Sequence, residues 1–233
     1  MLACSGYDEI SLSSLSTSDF SGLRDLTDGL LKITEEKKIG LSLPSLRIDN
    51  FSLELMEKVQ KVRKTGITFA PEAGTQRLRD VINKNINEED IINSTNMLFR
   101  GGWTNVKLYF MIGLPTETMD DVCGIADLAQ KVLEVYFAIP KEERAKQINI
   151  TVSTSSFVPK PFTAFQWAKQ DTRDMLIEKQ NTLKSAIKSK RIRYNWHDNK
   201  TSYLEGVFAR GDRRLSEVII KAVENGCKFD GWG

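Results

Sequence analysis

Small polar and charged residues recur just after the apolar, strand-like runs of this chain, and they define the chemistry that it could support. A carboxylate there accepts hydrogen bonds from a ribose or an ammonium group, and an arginine clamps a carboxylate with two parallel hydrogen bonds. Small residues also let a ligand approach the backbone closely. The combination suits a small zwitterionic or sugar-containing ligand. The residues are Ser13, Ser14, Arg47, Glu72, Met111, Gly113, Ser153 and Ser155.

Polyphosphate binding is not indicated, because neither G-x-x-x-x-G-K-[ST] nor a G-x-G-x-x-G after a strand occurs. Structural alternatives stay open for several of the candidates. Glu72 could cap the helix that follows it, Arg47 could pair with Asp49, and Gly113 could simply end a strand. His197 is the single histidine of the chain, and a lone histidine is more often structural than catalytic.

Strand-like and helix-like apolar patterns alternate along the chain, and these elements must position the candidates. Such alternation predicts an α/β fold with parallel strands joined by right-handed crossovers. An open (β/α) barrel and an open doubly wound sheet both fit, and in both the ligand binds beyond the carboxyl ends of the strands. Strands are predicted over residues 7–15, 39–47, 66–69, 105–114, 148–158 and 191–196, and helices over residues 19–38, 52–64, 74–81, 118–137, 171–189 and 215–224, with a further helix beginning at Asn87.

The helix starts have recognisable signals. Asp19 is a predicted N-cap, and the helix that follows it has a predicted inner face formed by Leu23, Leu26, Leu30 and Ile33. Thr118 stands three residues before an aspartate, which is a capping-box pattern, and acidic residues follow Asn87 in the first turn of its helix. These signals fix where the segments between the strands begin.

Composition limits the classes of protein to consider. The chain has 233 residues, 27% of them charged and 40% apolar, and a formal net charge of +2. This balance is typical of a globular protein and gives no general argument for binding nucleic acid or an anionic membrane. No apolar run is long enough to span a membrane, and no secretory signal begins the chain. The three cysteines are widely separated, which favours reduced thiols in the cytoplasm.

Several segments together resemble the radical S-adenosylmethionine (SAM) superfamily, in particular uncharacterised members with a cobalamin-type domain upstream. The resemblance implies a partial (β/α) barrel with its active site at the carboxyl ends of the strands. It also implies a barrel core over residues 1–190, followed by a strand and helix extension over residues 191–233. The segments are FAPEAGTQRLRDVINK (69–84), VKLYFMIGLPTET (106–118), GYDEISLSSLSTSDFSGL (6–23), SLPSLRID (42–49), VSTSSFVPKPFTAFQW (152–167), YNWHD (194–198), FARGDRRL (208–215) and GCKFDGW (226–232).

The resemblance assigns one set of residues to the polar end of SAM. Ser13 and Ser14 match the segment that contacts the SAM amino group in the family. Arg47 ends the next strand, where a polar residue often faces SAM. Glu72 matches the position that contacts the ribose or the amino group, and Lys84 falls where relatives often carry a basic residue for the SAM carboxylate.

A second set is assigned to the adenosyl end. Met111 to Gly113 match the motif whose backbone lies against the adenine ring in the family. Ser153 and Ser155 match the next strand, close to the substrate and the adenosyl group. These residues position the ligand in the family, so the resemblance identifies no catalytic acid or base in this chain.

The chain departs from the family at its cluster motif. Relatives hold a [4Fe–4S] cluster with C-x3-C-x2-C, whereas Cys4, Cys123 and Cys227 are each separated by more than 100 residues. We therefore expect no metal ligands in this chain. The simplest interpretation is a fragment that begins after the first strand and helix and lacks both the cluster loop and the cobalamin-like domain. A degenerate paralogue without a cluster is the alternative.

The resemblance implies that the full-length parent is an iron–sulfur enzyme that cleaves SAM reductively to a 5′-deoxyadenosyl radical acting on an unknown substrate. A cellular electron donor would be its partner, and cobalamin a further cofactor if the upstream domain is present. This chain alone is expected to position SAM and substrate without cleaving SAM. Its open barrel edge would favour dimerisation, and no membrane partner is expected.

Two other classes of function stay open. The first is a non-catalytic module that binds RNA through the basic stretches Lys184–Arg193 and Arg210–Arg214; such binding would depend steeply on salt. The second is an unrelated barrel enzyme that uses Glu72 and His197 as an acid–base pair. Convergence of the candidate residues on one strand edge would favour the SAM interpretation over both.

Overall fold

The computed structural model describes residues 6–13, 20–42 and 66–228, in which strands and helices alternate. The strands are β1 (Glu9–Ser11), β2 (Gly40–Ser42), β3 (Ile67–Glu72), β4 (Asn105–Ile112), β5 (Asn149–Ser156) and β6 (Ile192–Trp196). The helices are α1 (Leu23–Thr34), α2 (Gln76–Val81), α3 (Glu88–Arg100), α4 (Met119–Ala138), α5 (Arg173–Ala186), α6 (Asn199–Arg210) and α7 (Ser216–Glu224), with a 3₁₀ turn at Arg213–Leu215.

Each of the strand pairings in the described ranges is parallel, which confirms the predicted fold class. Strands β3, β4, β5 and β6 form one sheet in that order, and β1 and β2 form a second, two-stranded sheet. Within each sheet, strands that are consecutive in the sequence are paired, and each connection between paired strands carries at least one helix. This arrangement is consistent with a partial, open TIM-type barrel.

The core of the larger sheet lies on one face only. Along β4, residues Val106, Leu108, Phe110 and Ile112 are at most 1% exposed, and they pack in one cluster with residues of α3, α4 and α5. The alternate residues of β4 are half-exposed or exposed on the opposite face. Within the described ranges, helices α3, α4 and α5 thus cover one face of the sheet.

The capping signals are confirmed where the described residues include them. At Asn87 and at Thr118 the side chain accepts a hydrogen bond from the third backbone amide of the helix, and the aspartate at that position accepts one from the cap residue. Gly226, two residues beyond the last helix, has a φ of +76°, which suits a glycine that ends a helix.

The predicted inner face of α1 is only partly correct: Leu30 packs against the apolar cluster around Leu31, but two of the predicted residues are exposed. Leu26 and Ile33 are 43% and 58% exposed, whereas Thr27, Leu31 and Thr34 are buried. The helix begins at Leu23 after Gly22; the predicted N-cap, Asp19, lies outside the described residues, as does the predicted helix over 52–64. In the described ranges α1 covers only the short β1–β2 pair, so a narrow stripe around Leu31 is sufficient to bury it.

Helix α6 was not predicted. Asp198, which follows β6, is the N-cap of this helix, and its side chain accepts hydrogen bonds from the amides of Lys200 and Thr201 at 2.8 and 3.0 Å. The buried residues of α6 are Asn199, Ser202 and Gly206. Because they are small or polar, the helix lacks the apolar periodicity that marks the others.

The boundary expected between residues 190 and 191 stays a prediction. Strand β6, which follows it, is hydrogen-bonded in parallel to β5 from Ile192 to Trp196. Within the described ranges, none of the helices is both long and apolar enough to cross a membrane.

Candidate functional site

The structure brings part of the predicted site together on neighbouring strands of the main sheet. Glu72 ends β3, Met111 lies near the end of β4, and Ser155 lies near the end of β5, where it is paired in register with Met111. Ser153 lies two residues before Ser155 on β5 and is 5% exposed. The carboxyl ends of three adjacent strands therefore carry these candidates.

Other candidates are not part of this group. Ser13 is exposed and follows β1, which belongs to the two-stranded sheet. Ser14 and Arg47 lie outside the described residues, so their predicted contacts with SAM stay predictions. The proposed partnership of Glu72 with His197 is not favoured, since β3 and β6 are opposite edges of the sheet, about 14 Å apart at three strand spacings.

Glu72 is held by an unusual backbone conformation. Its φ is +67°, and the strand register shifts between Phe69 and Glu72. A non-glycine residue there costs about 1 kcal/mol, a strain that is often found at functional sites. Lys84 lies 3.3 Å from the Glu72 carboxylate, which joins two residues assigned to the polar end of SAM. The capping alternative for Glu72 is not observed, because Thr75 caps α2.

A close backbone contact fixes the loop after Glu72. A Cβ atom on Gly74 would lie 2.3 Å from the amide nitrogen of Ile125 and 2.4 Å from the carbonyl oxygen of Asp121, both in α4. Only glycine permits this approach. Thr75 donates a hydrogen bond to the Asp121 carboxylate, and Arg77 forms an ion pair with it. The turn that presents Glu72 is therefore anchored on the start of α4.

Asp121 is a buried carboxylate whose charge is stabilised by these contacts. Burial alone would raise its pKa, but hydrogen bonds from Thr75, from the Thr118 amide and hydroxyl, and from Arg77 lower the pKa to about 2. A carboxyl with a lowered pKa stabilises the fold above its unfolded pKa, and this stabilisation is lost as the pH falls through its folded pKa. The anchor of the loop is therefore sensitive to acid.

We predict that Asp121→Asn lowers the free energy of unfolding at pH 7 by about 2 kcal/mol, which is the value of its pKa shift. Between pH 4 and pH 2 the wild type loses this stability, so the two proteins become similar. Urea unfolding from pH 2 to pH 7 measures the effect. Asp127→Asn, an exposed change on the same helix, is the control; an equal loss in that variant at pH 7 would contradict the assignment.

The turn after β4 is stabilised by a buried charge cluster that the sequence did not reveal. Gly113 has a φ of +81°, and its amide donates to Glu117 at 2.7 Å. The Lys179 ammonium lies 2.7 Å from both Glu117 and Asp171. The side chains of Glu117 and Lys179 are 1% and 10% exposed. We call Glu117, Lys179 and Asp171 the turn cluster.

Burial and ion pairing have opposing effects on the pKa values of Glu117 and Lys179 in the turn cluster. Burial raises the pKa of Glu117, and the Lys179 ammonium and the Gly113 amide partly oppose this shift. Burial would lower the pKa of Lys179, but hydrogen bonds and charge from Asp171 and Glu117 raise it. The Lys179 ammonium thus partly offsets the charge of the two carboxylates. Glu117 in turn holds the Gly113 amide in a fixed direction. No local pattern marks Lys179, which lies 62 residues from Glu117.

An apolar cluster lies at the same carboxyl ends. Leu114 and Phe157 are buried in it, and the partly buried Met111 packs against it. Phe165 contacts Phe157 edge to face, with ring centroids 6.1 Å apart. Apolar side chains therefore lie near the ends of the strands that carry Glu72 and Ser155.

The cysteines do not fit an iron–sulfur cluster. Cys123 is in α4, Cys227 follows α7, and Cys4 lies outside the described residues. In the described ranges, no three His, Cys, Asp or Glu side chains are grouped so that they could hold a metal ion.

Several basic residues of the candidate RNA surface have partners within the chain. The Lys184 ammonium lies 5.6 Å from the Trp196 ring centroid, and the Arg191 guanidinium lies 5.2 Å from that of Phe137. Arg214 pairs with Asp212 at 2.8 Å. These contacts support a structural role for the basic stretches.

The sequence and the fold are both similar to those of known proteins. The chain is 32% identical over 212 residues to an uncharacterised protein of Methanocaldococcus jannaschii, an alignment that spans 91% of this chain and 43% of that protein. The fold is similar to that of a Methanocaldococcus infernus Elp3 with its N-terminal residues 1–46 deleted, with a TM-score of 0.57 and 14% identity over 97% of this chain and 57% of the other. Residues 3–129, more than half of the sequence, match the radical SAM superfamily. The chain belongs to the radical SAM superfamily.

Proposed function

We propose that this chain is the part of a radical SAM enzyme that positions SAM and its substrate. The observation that carries the proposal is the grouping of Glu72, Met111 and Ser155 on adjacent strand ends, with a buried apolar cluster nearby. Radical SAM proteins use SAM as a source of a 5′-deoxyadenosyl radical. This chain's own residues would bind the ligand, orient it and exclude water from it.

Each group in the site has a role that fits one part of SAM. The Glu72 carboxylate would accept hydrogen bonds from the ribose hydroxyls or the amino group, and Lys84, already beside it, would pair with the SAM carboxylate. The adenine ring would lie on the surface formed by Met111 and the Gly113 turn, which the turn cluster holds in place. Ser153 and Ser155 would face the adenosyl group and the substrate.

In the described ranges no group of side chains could hold the iron–sulfur cluster of the family, and we propose that residues elsewhere in a larger parent protein supply its ligands. The chain spans 43% of the length of the M. jannaschii relative, which is compatible with a larger parent protein. In that parent we expect an electron donor as partner and a cytoplasmic location, where thiols stay reduced. Cobalamin would enter only through an upstream domain.

The test is kinetic, on the intact parent protein reconstituted anaerobically with iron and sulfide. We predict that Glu72→Gln raises the KM for SAM about tenfold or more, because a hydrogen bond to a charged group is worth about 1.5–3 kcal/mol. Release of 5′-deoxyadenosine, followed by chromatography, is the measurement.

Glu89→Gln, an exposed change in the first turn of α3, is the matched control and should leave the KM unchanged. If Glu72→Gln keeps the wild-type KM while the enzyme is active, Glu72 does not contact SAM. If the intact protein releases no 5′-deoxyadenosine with a full cluster, the proposed function is wrong.

A further inference from the structure

The face of the main sheet that turns away from α3, α4 and α5 carries four polar residues at one level. The strand register places Thr68, Lys107, Thr151 and Arg193 side by side on β3, β4, β5 and β6. Their neighbours along each strand pack towards the helices in the apolar core. In a (β/α) barrel the face without helices is the lumen, so we call these four residues the lumen row.

The lumen row has two positive charges, and neither is paired with a carboxylate of the described residues. The Lys107 ammonium donates a hydrogen bond to the Tyr109 hydroxyl at 2.8 Å and lies 4.3 Å from the centre of that ring. Within the described part of the chain, neither Lys107 nor Arg193 forms an ion pair with an acidic side chain. The acid at the end of β3, Glu72, is already paired with Lys84.

The two cations can meet on one ligand. Lys107 and Arg193 are two strands apart, which is about 9–10 Å between their backbones, and each side chain reaches about 6 Å. Between them Thr151 offers a hydroxyl group. An arginine fork, an ammonium and a hydroxyl together form a set that binds a phosphate group.

We propose that the lumen row binds a phosphate group of the substrate. The inference rests on the proposed function, because it takes this face as the lumen that receives the substrate. Lys107 lies four residues before Met111, so the phosphate would sit about 13 Å from the strand ends where SAM is placed. The next level towards SAM carries Tyr109, Ser153 and Asn195, which are hydrogen-bonding groups. The substrate is therefore a polar phosphate monoester whose phosphate is remote from the reacting carbon.

The experiment is a calorimetric titration of the intact protein with inorganic phosphate at low ionic strength, without SAM. We expect saturable binding, weakened at least about tenfold by Lys107→Gln and by Arg193→Gln. Lys107→Arg should bind within about threefold of the wild type. The matched control is Lys190→Gln, an exposed change just before β6, which should bind as the wild type does.

Equal binding by Lys107→Gln and the wild type, or no phosphate binding at all, would overturn the proposal. Acetate that binds as tightly as phosphate would overturn the assignment to a phosphate group. SAM binding is measured in the same samples, so the two proposals fail separately. If phosphate binds and SAM does not, only the proposed function is wrong; if SAM binds and phosphate does not, only the lumen row is wrongly assigned.

Discussion

Replacement of Lys179 by methionine is expected to lower the free energy of unfolding by about 3–5 kcal/mol, because it leaves buried carboxylates without their cation. Glu117 is 1% exposed and Asp171 is 15% exposed, and each lies 2.7 Å from the Lys179 ammonium. Methionine preserves most of the side-chain volume of lysine, so the loss of stability measures the effect of removing the positive charge. Guanidinium unfolding at pH 7 gives the value.

The same variant should show a distinctive pH dependence. Burial raises the pKa of Glu117, and the loss of Lys179 raises it further. A carboxyl whose pKa is higher in the folded than in the unfolded state is protonated at low pH, where it does not destabilise the fold. It destabilises the fold as the pH rises and the buried group has to ionise. The difference between variant and wild type should therefore be smaller at pH 4 than at pH 7.

The controls separate charge from packing. The double variant Lys179→Met with Glu117→Gln should recover part of the stability, since it also removes one of the unpaired charges. Lys188→Met, an exposed change beyond the end of α5, should alter stability by less than about 0.5 kcal/mol. A loss below about 1 kcal/mol in Lys179→Met, equal at both pH values, would mean that the turn cluster contributes little.

Gly74→Ala is the second change with a large expected effect, a loss of about 3 kcal/mol in the free energy of unfolding. The new methyl group would lie 2.3 Å from the Ile125 amide nitrogen and 2.4 Å from the Asp121 carbonyl oxygen. Both are backbone atoms of α4, so neither can rotate away. The loop would have to move off the helix, and Glu72 would move with it.

Gly29→Ala is the matched control. It places the same methyl group in the middle of α1, where nothing lies within 4 Å, and it should be neutral or stabilise by up to about 1 kcal/mol. In the intact protein Gly74→Ala should also raise the KM for SAM. Equal unfolding midpoints for the two variants would show that the contact between Gly74 and α4 is not tight.

Features encoded by short-range patterns were predictable from the sequence. Strand β4 is a run of β-forming residues ended by Gly113, and α4 begins at the capping box of Thr118, as predicted. Parallel pairing follows from the alternation of such segments. The grouping of Glu72, Met111 and Ser155 on neighbouring strands follows in turn, because the carboxyl ends of parallel strands lie on one edge.

Features that depend on contacts between distant segments were not predictable. The positive φ of Glu72 arises from the register shift and the anchor on α4, neither of which has a sequence signal. The sequence around Lys179 is typical of an exposed lysine on a helix, yet the side chain is buried against the turn that follows β4. Helix α6 escaped prediction because its buried face is polar and small.

The most direct test of the account is to locate SAM on the protein. The intact parent, reconstituted anaerobically, is irradiated with the 8-azido analogue of SAM, and labelled peptides are identified by mass spectrometry. The account predicts labels on the peptides that contain Glu72, Met111 to Gly113 and Ser153 to Ser155, all suppressed by excess SAM. Suppressible labels confined to other segments, such as α5 or α7, would contradict it.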